Sequence, residues 1–158
     1  MPLHLNTPMP SLEGGTDWVN GGPVRAEQLA GHPTLIHFWA VSCHLCKETM
    51  PTVNSWRDRY GPEGLQVIAV HMPRGPEDTD VEKVKELVTK LGLIQPVVVD
   101  NTHAIRKAFN NEYVPAFYVF DSEGKLRHFQ AGDRGLRIVE RRIRRVLGLP
   151  EEDASNGA

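Results

Sequence analysis

Two cysteines are the residues of this 158-residue chain best suited to covalent chemistry, and they stand close together. Cys43 and Cys46 are separated only by His44 and Leu45. Before them, Thr34 to Ala40 is a mostly apolar run led by Gly31 and Pro33, which reads as a central strand. After them, Met50, Val53, Trp56 and Tyr60 recur at helical spacing until Gly61-Pro62 stops the pattern. Such a strand-to-helix junction is where open α/β sheets place their ligand sites. Cys43 falls at the helix N-terminus, where unpaired N–H groups and the macrodipole favour an anion and lower a thiol pKa from its ordinary value of about 8.5. Cys46 lies one turn deeper on nearly the same face. The spacing suits an attacking thiol and a resolving thiol, one capturing a disulfide and the other releasing it. Two other uses stay open. A structural disulfide would close a short loop and remove little unfolded-chain entropy. A zinc site would want four ligands, and there is no second cysteine pair.

The remaining elements follow from period and punctuation. Asn20-Gly21-Gly22 after Trp18-Val19 predicts a short N-terminal hairpin. Pro51 is expected to kink the first helix, because it lacks an N–H and crowds the preceding turn. Leu65 to His71 predicts a strand. Thr79 and Glu82 form a capping-box signature ahead of Val81, Val84, Val88 and Leu91. Val97 to Val99 predicts a third short strand, Thr102 to Phe109 a short helix, and Ala116 to Phe120 with Lys125 to Ala131 a hairpin. Leu136, Val139, Ile143 and Val146 mark the inward face of a last helix, with its arginines on the wet face. The order predicts a mixed α/β layer fold of parallel members plus an antiparallel hairpin. Residues 1–150 form one domain in this reading, and residues 151–158 a polar, disordered tail.

Composition narrows the classes. A net charge of −2 offers no general attraction for nucleic acid. No apolar run approaches the ~20 residues of a membrane helix. The start shows no basic region followed by an apolar one, so a cytoplasmic location is expected, or an extracytoplasmic one if a leader has been removed.

Phe38-Trp39-Ala40-Val41-Ser42-Cys43-His44-Leu45-Cys46, with Pro51 later and Val114-Pro115 before a strand, resembles the thioredoxin superfamily. The lead-in Glu27-Gln28-Leu29-Ala30-Gly31 and the insertion spanning the second helix resemble its TlpA/ResA-like thiol–disulfide oxidoreductase branch. The resemblance, over roughly residues 8–148, implies a thioredoxin fold: a central mixed sheet with helices on both faces, an N-terminal β-hairpin and a βα insertion. It implies Cys43 as the exposed nucleophile and Cys46 as the buried resolving thiol. Pro115 would be a cis-proline lying against the disulfide, with Val114 before it presenting backbone to an extended substrate, and Trp39 would flank the site. No cofactor is implied. Expected partners are disulfide-containing proteins or small thiols and a donor of thioredoxin-reductase-like or glutathione type, with the chain a monomer.

Two departures concern the proton that Cys46 must lose. His37 stands where plain thioredoxins carry a buried acid; it suits either a neutral base or a histidine paired with a backbone group. Thr49 stands where many ResA-like proteins have a glutamate, with Glu48 one place earlier. His44 is expected beside the Cys43 thiolate, which it would favour if protonated. A thiol peroxidase is a second reading, but Ile36 and Ala40 occupy the places where that class needs its proline and hydroxyl. A copper or zinc carrier using both cysteines and a histidine is a third; His103 matches the distal histidine poorly.

Overall fold

Successive residues of a strand point to opposite faces of its sheet, and that alternation builds this molecule in two layers around one sheet. The computed structural model describes residues 3–151. Six strands form the sheet: β1 (Asp17–Val19), β2 (Thr34–Trp39), β3 (Gln66–His71), β4 (Val97–Val99), β5 (Ala116–Phe120) and β6 (Leu126–Ala131). Four helices cover it: α1 (His44–Tyr60), α2 (Val81–Lys90), α3 (Ala104–Phe109) and α4 (Leu136–Val146). The spatial order is β1-β4-β3-β2-β5-β6, with β2, β3 and β4 parallel and the other pairings antiparallel. This is the thioredoxin-like fold, and the insertion contributes α2 and β4.

Leu35 and Trp39 of β2 face one core, shared with Met50, Val53 and Trp56 of α1, Val84 and Val88 of α2, and Val139 and Ile143 of α4. Ile36 and Phe38 face the other core, with Ile105 and Phe109 of α3 and the early residues Leu12 and Leu29. All six residues of β2 are buried, as a central strand covered on both faces requires. Helix α1 continues through Pro51 to Tyr60.

Four sequence expectations change. The N-terminal hairpin does not form; β1 instead adds antiparallel to β4, with Trp18 opposite Val98. Asn20, Gly21 and Gly22 adopt φ of 66°, 115° and 100°, and a Cβ at Gly22 would run into the Trp18 ring. The Asn20 amide donates to Leu93 O and Gln95 O, so this turn anchors the chain to the loop before β4. The cap of α2 is Asp80, whose carboxylate accepts from the N–H groups of Glu82 and Lys83, while Thr79 Oγ1 donates to Pro76 O. The arginines of α4 are not all wet: Arg144 is buried and donates to Tyr60 Oη, which donates to the buried Glu140. Glu151 is half-buried and paired with Arg142 and Arg145, so the folded part reaches it; the rest of the expected tail, residues 152–158, lies outside the described residues.

Candidate active site at the strand-to-helix junction

The parallel strands β2, β3 and β4 end together, and the cysteines leave from that edge. Trp39 pairs with His71 at the last rung of β2 and β3, and the chain then turns through Ala40 to Ser42. Cys43 is the N-cap of α1, with φ −92° and ψ 105°, and its N–H donates to Ala40 O at 3.0 Å. Its Sγ accepts from the Cys46 N–H at 3.0 Å, the position a capping oxygen takes in an ordinary helix. The two residues are disulfide-bonded, with Cα atoms 5.3 Å apart. When the pair is reduced, that donor and the helix terminus favour the thiolate of Cys43 over the thiol.

Cys46 is 1% exposed, and Cys43, for which the resemblance implies exposure, is only 3% exposed. Both join the core beneath α1, with Val41 and Val114 packed against it as partly covered neighbours. The Phe38–Ala116 register of β2 and β5 carries Pro115 to the level of Trp39, beside this junction. The Val114–Pro115 bond is cis, and Pro115 O accepts from the Gly132 N–H.

The two histidines behind the pair are neutral at ordinary pH. His37 is buried on the α1 side of β2, and burial, aided by the Arg57 guanidinium, lowers its pKa to about 3. Its Nε2 lies 3.0 Å from Gln95 Nε2 and therefore accepts from that amide, whose Oε1 takes a hydrogen bond from Arg57. The partner is a side chain, not the backbone group considered from sequence. His71 is lowered to about 4 by burial, partly offset by the Asp78 carboxylate. Its Nε2 accepts from the Val41 N–H at 3.0 Å, and its ring meets Trp39 edge-on at 4.9 Å between centroids. Trp39 is buried, with its Nε1 unpartnered among the described residues.

On the exposed first turn of α1, His44 faces Glu48 at 2.7 Å. That contact directs the imidazole along the helix, so Glu48 is engaged there rather than at Cys46. Thr49 is buried, and its Oγ1 donates to Cys46 O at 3.1 Å. Ile36 and Ala40 are buried apolar positions. Among the described residues no group of three or more His, Cys, Asp or Glu side chains is arranged to hold a metal ion, and His103 instead contacts Pro73 O.

A clamp that sequence reasoning missed holds the junction. Asp78, buried in the loop before α2, accepts from Ser42 N–H and Ser42 Oγ at 3.1 and 2.8 Å and from the Arg74 N–H at 2.9 Å. Arg74 in turn donates to Ser42 O and Oγ. Nothing in the polar run Pro73 to Asp80 distinguishes Asp78 from its acidic neighbours; only the tertiary approach of residue 42 does. Asp78→Ala removes three hydrogen bonds from the partly exposed Ser42 and Arg74 donors and should cost about 2 kcal/mol, measured as a fall in denaturant midpoint at unchanged slope. Asp78→Asn keeps one acceptor and should lose less.

Comparison with known proteins agrees with this geometry. The AhpC/TSA family model matches residues 5–129. The thiol-disulfide oxidoreductase YkuV of Bacillus subtilis (strain 168) is 52% identical over 149 residues, covering 94% of this chain and 100% of that one. The thiol-disulfide oxidoreductase ResA of Geobacillus kaustophilus (strain HTA426) is 25% identical over 128 residues, covering 81% of this chain and 71% of that one. A solution structure of a thioredoxin-like protein in the oxidized form superposes with a TM-score of 0.84 at 54% identity, covering 92% of this chain and 98% of the other.

Proposed function

The chain belongs to the AhpC/TSA family and is a thiol–disulfide oxidoreductase, and on that premise we propose that Cys43 is its attacking sulfur and Cys46 its resolving one, acting on protein disulfides. The observation that carries the assignment is the Cys46 N–H directed at Cys43 Sγ at the helix N-cap. A thiolate held there attacks one sulfur of a substrate disulfide; one substrate thiolate leaves, and a mixed disulfide forms. Cys46 then loses its proton and attacks Cys43 Sγ, closing the intramolecular disulfide and releasing the second substrate thiol. Two electrons pass from the protein dithiol to the substrate. A thiol donor reverses the change on the protein, and a reducing glutathione pool sets the direction toward substrate reduction.

Pro115 and Val114 border the exchange site and support an extended substrate running alongside it. Of the polar residues that follow Cys46 in α1, Thr49 turns to Cys46 O and Glu48 to His44. His37 lies on the same face of the sheet, but its Nε2 already accepts from the Gln95 amide and its pKa of about 3 makes it a weak base. The acceptor we favour is therefore the substrate thiolate released in the first step. The test of the two-thiol scheme is a trap. Cys46→Ser should accumulate protein–substrate mixed disulfides through Cys43, seen as a mass increase removed by dithiothreitol. No trapped species, or trapping through another residue, would overturn it.

A further inference from the structure

A groove of about 250 Å³ opens between the segment that carries the cysteines and α2, lined by Val41, Lys47, Lys83, Glu86, Leu87 and Lys90. Its position follows from both chain segments that make it. Val41 lies two residues before Cys43, and Lys47 follows Cys46 directly and donates its N–H to Cys43 O. Lys83, Glu86, Leu87 and Lys90 recur on one face of α2 at helical spacing. The floor is apolar: Val41 and Leu87 are partly buried and pack on the core beneath α1 and α2. The walls are cationic, with three lysines against one glutamate. Among the described residues no salt bridge engages Lys47, Lys83 or Lys90, while the neighbouring acids Glu48 and Glu82 are occupied by His44 and Lys85. This concentration of positive charge runs against the chain's net −2.

Size decides the class of occupant. Sites for whole small molecules run to about 300–1,000 Å³, so this groove suits one or two side chains of something larger. We propose that it docks an acidic segment of the protein whose disulfide is reduced, an apolar side chain resting on Val41 and Leu87 and carboxylates meeting Lys47, Lys83 and Lys90. The proposal rests on Cys43 as the attacking sulfur and adds the substrate class. Val41 and Lys47 flank the cysteine pair in sequence, so the acids should lie within a few residues of the attacked cysteine.

The test uses the full chain, reduced beforehand, in single turnover against peptide disulfides. Three peptides are each dimerised through one cysteine and differ only at two positions near it, carrying glutamate, serine or lysine there. At low ionic strength the acidic peptide should react about tenfold faster than the basic one, the sum of several exposed charge contacts. In ~1 M salt, where the screening length falls to about 3 Å, the ratio should fall to about two. Lys83→Gln with Lys90→Gln should move the low-salt ratio toward one, a readout that cancels any effect common to all peptides. Equal rates for acidic and basic peptides, or a ratio unmoved by the lysine substitutions, would overturn the docking alone. Failure to reduce any peptide would overturn the dithiol assignment and the docking with it. An equal preference for oxidised glutathione over the uncharged hydroxyethyl disulfide would replace a protein segment with a small acidic disulfide as the ligand.

Discussion

Cys43→Ser should lower dithiothreitol-driven insulin reduction by about 10³-fold or more, to the uncatalysed rate, without loss of fold. A hydroxyl is no substitute for a thiolate as a nucleophile toward disulfides, so no first step remains. The fold should survive because the closed loop is short: residues 43 and 46 are separated by three positions, and so tight a cross-link constrains the unfolded chain little. Serine also keeps an oxygen at the N-cap, where the Cys46 N–H can still be satisfied. Cys46→Ser should behave differently, consuming one equivalent of substrate and stalling as a mixed disulfide. Alkylation separates the roles again. In the Cys46→Ser protein, Cys43 should react with iodoacetamide below the pH at which an ordinary thiol ionises, whereas Cys46 in the Cys43→Ser protein, buried beneath α1, should react slowly. Turnover that survives Cys43→Ser would remove the proposed nucleophile.

The parts of this site legible in sequence are those with a local cause. The strand–cysteine–helix junction is visible because the apolar period changes from a continuous run to helical spacing at His44, and the helix is found over the same residues to Tyr60. Val97 to Val99 and Ala116 to Phe120 are equally local and stand at their expected bounds. What was not legible depends on partners far along the chain. Trp18-Val19-Asn20-Gly21-Gly22 reads as a hairpin because its turn chemistry is right, yet the strand that leads into the turn pairs with residues some 80 positions away. Asp78 reads as one acid among several, and only Ser42, 36 positions earlier, makes it a clamp. Gln95 reads as a loop residue; its role comes from His37, 58 positions away. Cys43 is exposed in what the resemblance implies, whereas in the structure it joins the core cluster against which Val41 and Val114 pack. Periodicity reports which face a residue takes, not which distant group completes its hydrogen bonds.

Acidification should destabilise the protein steeply, by about 4 kcal/mol between pH 7 and pH 5. The cause is the pair of buried neutral histidines behind the cysteines. Burial lowers His37 to about 3 and His71 to about 4, against an unfolded value near 6.5. Above pH 6.5 neither state binds these protons, and the histidines have no effect on the balance. Below it the unfolded chain takes up two protons that the folded chain refuses, so stability falls with pH at up to about 1.4 kcal/mol per unit for each histidine, until the folded values are reached. A total of about 4 kcal/mol is a large share of the 5–15 kcal/mol typical of a domain. The surrounding charges act in known directions. Arg57 strengthens the effect at His37, and Asp78 weakens it at His71. His128, also lowered by burial, adds in the same sense, while Asp100, raised by burial, works against it because its folded form holds a proton longer. The measurement is the guanidinium midpoint from pH 5 to pH 8 for the wild type and for His37→Gln with His71→Gln. Glutamine can still accept from Val41 N–H and from the Gln95 amide, the hydrogen bonds these imidazoles now take. The double variant should show a flattened profile that crosses the wild type's on the acid side. A wild-type midpoint constant between pH 7 and pH 5 would mean that these two rings take up protons in the folded protein as readily as in the unfolded chain, and that burial does not hold them neutral.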